Sequence, residues 1–127
     1  MCGITGIMDP RARLNDLSSI IADMTNRLHS RGPDDHGMFL SESHDLALGH
    51  RRLAVIDLAT AGRQPMTSKS GRMLIVFNGE IYNYKSLRSE LASIGCRFTT
   101  ETDTEVLLEA CERWGVRQTV DRLVGMF

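Results

Sequence analysis

Residues 73–77 read MLIVF, five apolar side chains with β-branched Ile75 and Val76 at the centre, and they run directly into Asn78-Gly79-Glu80. So short and apolar a run predicts a strand covered on both faces. Asn-Gly at a strand end is ordinarily a hairpin signal. Here no return strand follows. Glu80-Ile81-Tyr82-Asn83 leads into helical spacing, with Leu87, Leu91 and Ile94 on one face and Gly95 as the stop. A strand that turns at a polar corner into a helix makes the chain a mixture of both element types.

The remaining segments repeat that mixture. Gly3–Met8 (GITGIM) predicts a buried strand, ended by Asp9-Pro10. Leu17, Ile20, Ile21, Met24 and Leu28 fall at helical spacing, with Asn15 or Asp16 as N-cap. The helix stops before HSRGPDDHG at 29–37, a stretch of turn residues. Residues 37–40 and 46–50 predict two strands around a polar turn. Residues 53–58 (LAVIDL) predict a strand or an extended loop, and 59–72 a loop. A short strand is expected at 96–100. Thr102 and Glu105 have capping-box spacing and open a helix that ends near Trp114-Gly115, and a last helical segment falls at 120–123. Hairpin-like connections favour α+β over a strict βαβ alternation. A chain of 127 residues is long enough for one domain with one core.

Fifteen basic against sixteen acidic residues give a formal net charge of −1, and Arg51-Arg52 is the densest basic pair. That balance argues against a nucleic-acid or anionic-membrane surface. There is no apolar run of 18 residues and no basic, then apolar, leader at the start. Three cysteines, Cys2, Cys96 and Cys111, are an odd number without metal-ligand spacing. They suit a reducing compartment, and the expected location is the cytoplasm. His36, His44 and His50 are apart in sequence, are expected to be ordinary polar residues, and are assigned no catalytic role.

Four places can carry chemistry, and each has an ordinary alternative. Cys2 could begin a strand as a small apolar residue. If Met1 is removed, it instead becomes a nucleophile with its own α-amine as base, since the amine titrates at about 7.7–8.0 and a thiol near about 8.5. Asn78-Gly79 could be a simple turn, or two N–H donors aimed at an oxyanion. Arg52 could be a solvated charge at a strand end, or a fork for a carboxylate. Asp103 could serve the helix dipole, or face a ligand ammonium. Together they fit an α-amino acid whose side chain carries an amide.

Several motifs stand in one order: Cys2-Gly3-Ile4, Arg31-Gly32-Pro33-Asp34, His50-Arg51-Arg52-Leu53, Gln64-Pro65-Met66, Phe77-Asn78-Gly79-Glu80-Ile81-Tyr82-Asn83 and Thr102-Asp103-Thr104-Glu105. In these the chain resembles the glutaminase domain of class II glutamine amidotransferases, nearest to the N-terminal half of glutamine-hydrolysing asparagine synthetases. The resemblance runs through nearly all of residues 1–127. It implies the N-terminal-nucleophile hydrolase fold, an αββα sandwich of two antiparallel sheets. It implies Cys2 as nucleophile toward L-glutamine, with a thioester intermediate, and Asn78 and Gly79 as the oxyanion hole. Arg52 would hold the substrate α-carboxylate and Asp103 its α-ammonium. Leu53, Ala54, Val55, Ile56 and Glu80 would line the same pocket. Residues 29–34 would form a structural and gating loop. No metal or cofactor is implied for glutamine hydrolysis. ATP and magnesium belong to a synthetase domain, in the same chain or a separate one, that receives the ammonia for amino-acid biosynthesis.

Relatives run longer than this chain, so the sandwich is expected to be truncated on its C-terminal side. Self-association or strand exchange would then cover the exposed edges. The alternatives to a working glutaminase are a glutamine-binding or docking module without catalysis, and an inactive fragment of the same fold.

Overall fold

The computed structural model describes residues 2–11, 13–53 and 62–127. The expectations for Ala54, Val55 and Ile56, and for the rest of 54–61, lie outside the described residues. The described chain divides into two compact units. The first holds residues up to Leu53 together with Arg63–Pro65 and Val76–Asn78, and the second holds Gly62, Met66–Ile75 and Gly79–Phe127.

In the first unit, β1 (Gly3–Met8), β2 (Asp35–Leu40) and β3 (Leu46–Arg52) form an antiparallel sheet in the order β1-β3-β2. Gly3 stands opposite Arg51, and Asp35 opposite Arg52. Helix α1 (Leu17–Arg27) begins at Asp16, whose side chain accepts the Ser19 N–H at 2.9 Å. Its Leu17 and Ile21 are buried with Ala47 of β3, and Ile7 and Leu40 close the cluster. Burying each such branched side chain contributes roughly 1.5–3 kcal/mol. The helix comes close to β3 at Gly49, where an added Cβ would collide with the Thr25 hydroxyl. Thr25 itself is buried and donates to Ile21 O at 2.7 Å. The neighbouring Arg51 is buried too, its Nε donating to Thr25 O at 3.0 Å and its Nη2 to Asn26 Oδ1 at 2.6 Å.

In the second unit, α2 (Tyr84–Ser93) packs on α3 (Asp103–Trp114), and α4 (Val116–Val120) follows against α3. The core is Ile81, Leu87, Leu91, Val106, Leu107, Leu108 and Ala110, all buried. Gly95 takes φ +94° and ends α2, and Gly115 takes φ +83° between α3 and α4, a region that favours glycine. Two short antiparallel ladders complete the unit: β4 (Met66–Thr67) with β5 (Leu74–Ile75), and β6 (Glu80–Ile81) with β7 (Gly125–Met126). Asn83 secures the second ladder, its Nδ2 donating to Arg122 O and its Oδ1 accepting from Val124 N–H, both at 2.9 Å.

Five expectations change. The strand at Gly3–Met8, expected to be buried, leaves Ile4 and Met8 exposed. The strand at 73–77 shrinks to Leu74 and Ile75, half-buried rather than covered on both faces. Val76–Asn78 belong to the first unit, where the peptide groups of Phe77 meet side chains and not a neighbouring strand. Residues 96–100 form no strand, because the N–H groups of Thr99 and Thr100 point to the Glu105 carboxylate at 2.8 and 2.7 Å. Thr102 caps α3 as expected, accepting Glu105 N–H at 3.2 Å, but Glu105 reaches back to residues 99 and 100 and not to the cap itself. The last helix lies at Val116–Val120, earlier than the 120–123 the apolar spacing suggested.

Candidate active site

The first unit carries Cys2, Arg52, Leu53 and Asn78. Cys2 is half-buried, one residue before β1, and Leu53 follows the end of the paired strand β3. The antiparallel register therefore brings the thiol to the Leu53 backbone. Leu53 N–H donates to Cys2 Sγ at 3.4 Å, and Sγ–H faces Leu53 O at 3.8 Å. Arg31 Nε donates to Cys2 O at 3.2 Å, so the 29–34 loop touches the chain start. That loop contains a 3-10 turn at His29–Arg31, and Asp34 N–H donates to Arg52 O at 3.1 Å. Gly32 presses on the same strand end, since a Cβ there would stand 2.5 Å from the Arg51 carbonyl carbon and oxygen.

Arg52 closes β3 and is only 7% exposed, so it is not a solvated charge at a strand end. Asp35, its register partner, binds Arg63 as a fork, accepting Nε at 3.1 Å and Nη2 at 2.9 Å. Burial alone would raise the Asp35 pKa. The Arg63 and His36 N–H bonds and the charges of Arg63 and Arg52 outweigh it and hold the carboxylate below its ordinary range.

The second unit carries Gly79, Glu80 and Asp103. Gly79 is half-buried and Glu80 is exposed on β6, opposite Met126. Asp103 is the first residue of α3 and is 6% exposed, with Oδ2 accepting the Ile81 N–H at 2.9 Å. It is thus tied to the strand that carries Glu80. Of the predicted site residues, the structure shows Cys2 and Leu53 in contact, with Arg52 adjacent on β3.

All three cysteines are free thiols. Burial pushes the Cys111 thiol up, against a smaller downward pull from the Thr119 hydroxyl.

Two residues near Asn78 were assigned no role from sequence. His50 is fully buried, with Nε2 3.3 Å from Phe77 O. Gln64 is buried, and its Oε1 accepts the Phe77 N–H at 2.6 Å. Both stand in motifs visible in the sequence, His50-Arg51-Arg52-Leu53 and Gln64-Pro65-Met66, but nothing local says that both reach Phe77.

A family model described as glutamine amidotransferase domain matches residues 1–127. The chain belongs to this family. Asparagine synthetase (glutamine-hydrolyzing) 3 of Bacillus subtilis is 43% identical, the match covering 100% of this chain and 20% of that protein. Asparagine synthetase (glutamine-hydrolyzing) 3 of Arabidopsis thaliana is 39% identical over 100% of this chain and 21% of its own length. The Zea mays asparagine synthetase (glutamine-hydrolyzing) is 37% identical with the same coverage. The chain therefore spans about a fifth of the length of the curated relatives it matches. Its helices and antiparallel ladders are consistent with the N-terminal-nucleophile hydrolase class that the resemblance implies for the glutamine amidotransferase domain. Among the described residues, no helix is long and apolar enough to cross a membrane.

Proposed function

We propose that this glutamine amidotransferase domain hydrolyses L-glutamine to L-glutamate and ammonia through a γ-glutamyl thioester on Cys2. The observation that carries this reading is the thiol at the start of β1, half-buried and held against the Leu53 backbone one residue from the buried Arg52. Loss of Met1 frees the α-amine of Cys2, which takes the thiol proton. The sulfur adds to the side-chain amide carbon. The oxygen becomes an oxyanion stabilised by the Asn78 side-chain amide and the Gly79 N–H. Collapse breaks the C–N bond, and the amine returns the proton to the departing ammonia. Water then adds to the thioester, releasing glutamate and restoring the thiol.

In this reading Arg52 binds the substrate α-carboxylate and Asp103 its α-ammonium, while Leu53, Ala54, Val55, Ile56 and Glu80 line the pocket. The ammonia passes to a synthetase module that uses ATP and magnesium. The matched relatives, whose names join asparagine synthesis to glutamine hydrolysis, support that pairing.

The test joins intact mass with glutamate release. The recombinant protein should lack Met1, and Cys2→Ala should abolish release while glutamine still raises the melting temperature. Turnover in folded Cys2→Ala equal to that of the parent removes the nucleophile. A melting shift in the parent without any glutamate identifies a binding module instead.

A further inference from the structure

His50 is 0% exposed, yet the hydrolytic scheme makes no use of it. Its Nε2 faces Phe77 O at 3.3 Å, and a carbonyl only accepts, so Nε2 carries the hydrogen. Nδ1 is then a bare lone pair, buried and without a partner among the described residues. Burial holds the imidazole below its ordinary range. The Phe77 carbonyl opposes this, Arg52 adds to it, and Asp35 opposes it. A buried ring nitrogen is left unpaired while its twin makes one bond, and that bond is to the residue before Asn78.

Phe77 is held on its other side as well. Its N–H donates to the buried Gln64 Oε1 at 2.6 Å. The peptide group is planar, so the carbonyl held by His50 and the N–H of Asn78 turn together. Gln64 fixes the preceding peptide plane in the same way. With both planes held, the path of the backbone into Asn78 and the position of its Cα are set, which leaves its own φ and side-chain torsions to complete the aim of the amide.

We propose that His50, as the neutral Nε2–H tautomer and with Gln64 as its counterpart, is a positioning residue that aims the Asn78 side-chain amide at the oxyanion. The inference rests on the oxyanion role given to Asn78 above. It adds a side chain that acts through the backbone and touches no substrate.

The experiment compares His50→Leu, which removes the donor, with His50→Gln, which restores an N–H at similar reach. Two readouts are taken on the 127-residue chain: kcat and KM for glutamate release, and the ¹H–¹⁵N resonances of the Asn78 backbone and side-chain amides. An oxyanion bond is made only in the transition state, so His50→Leu should lower kcat by about tenfold or more with KM nearly unchanged. His50→Gln should recover most of kcat. The Asn78 resonances should shift in His50→Leu and return in His50→Gln. Where His50→Leu does not fold, His50→Asn takes its place, its shorter amide falling short of the Nε2 position. Full kcat in either donor-deficient variant, a rise in KM alone, or unmoved Asn78 resonances would overturn the inference. Should the parent release no glutamate while the resonances respond as stated, the hydrolytic reading fails and the positioning of Asn78 by His50 stands.

Discussion

Asp103, at the first turn of α3, accepts the backbone N–H of Ile81 at 2.9 Å through Oδ2. Ile81 is 1% exposed, so without the carboxylate its N–H would be a buried donor lacking its acceptor. Oδ1 accepts at 3.5 Å from the Thr104 hydroxyl, a long contact, and in the proposed reading it is the oxygen that faces the substrate ammonium. The two oxygens allow structural and binding roles to be separated by substitution. Asp103→Ala should cost about 1–3 kcal/mol in urea unfolding, the penalty for an unmet buried N–H. Asp103→Asn keeps an acceptor and should stay within about 1 kcal/mol of the parent. It should nevertheless raise KM for glutamine, because the α-ammonium loses its counter-charge. An unchanged KM in Asp103→Asn leaves the residue with structural work alone.

Arg52, buried at the end of β3, is expected to be intolerant of lysine. A planar fork matches a carboxylate in two bonds where an ammonium offers a point charge. Losing one charge-assisted bond of about 1.5–3 kcal/mol raises KM by about tenfold or more. Steady-state kinetics on Arg52→Lys with L-glutamine would show it, and a KM equal to that of the parent would remove Arg52 from the pocket.

Glu105 makes folding pH-dependent. The carboxylate is 5% exposed and accepts from Thr99 N–H, Thr100 N–H and both hydroxyls at 2.7–3.1 Å. Burial would raise its pKa, but the four donors together lower it below the ordinary value of 4.5. With the folded pKa depressed, the contribution to stability is complete above the unfolded pKa. It is lost as pH falls through the folded one. Urea unfolding between about pH 7 and pH 3 should show stability dropping on the acid side, and Glu105→Gln should flatten that part of the curve. An identical acid slope in Glu105→Gln would assign the loss to other carboxylates.

Gly32 supports the geometry around Cys2 by being small. A methyl at this position would meet Arg51 carbonyl atoms at 2.5 Å and Arg52 N at 2.6 Å, all backbone, so no side chain can swing away. Gly32→Ala should therefore destabilise by about 1–3 kcal/mol, the range for overpacking. It should also raise KM, because the strand end carrying Arg52 and Leu53 must move. A melting temperature equal to that of the parent would show that the 29–34 loop yields freely.

Much of this could be read along the chain. Asp16 capping α1, Thr102 capping α3, and the glycines after α2 and α3 all act on groups only a few residues away. The bounds of the strand at Gly3–Met8 were equally legible, but its burial was not, since Ile4 and Met8 are exposed. Residues 73–77 and 96–100 were not legible. Their apolar, β-prone composition predicts a ladder, while the N–H groups of Phe77 and Thr99 go to the side chains of Gln64 and Glu105. Among the proposed site residues, Cys2 and Asn78 stood out by motif. Arg52 had a surface explanation that its burial withdraws, whereas Asp103 stands in the first turn of α3, where its helix-dipole reading put it. His50 looked ordinary because its meaning depends on a carbonyl 27 residues away.

The amino-acid sequence by itself determined the family, the α+β class, the helix caps and the residue types proposed for the chemistry, because each is expressed in short spacings or in motifs standing in order. Only the tertiary structure decided that the Cys2 thiol meets Leu53, that Arg52 is buried, and that His50 and Gln64 grip the peptide groups on either side of Phe77. Those outcomes depend on strand register and on hydrogen bonds between residues 13 to 51 positions apart, for which no local preference exists until the sheet has formed.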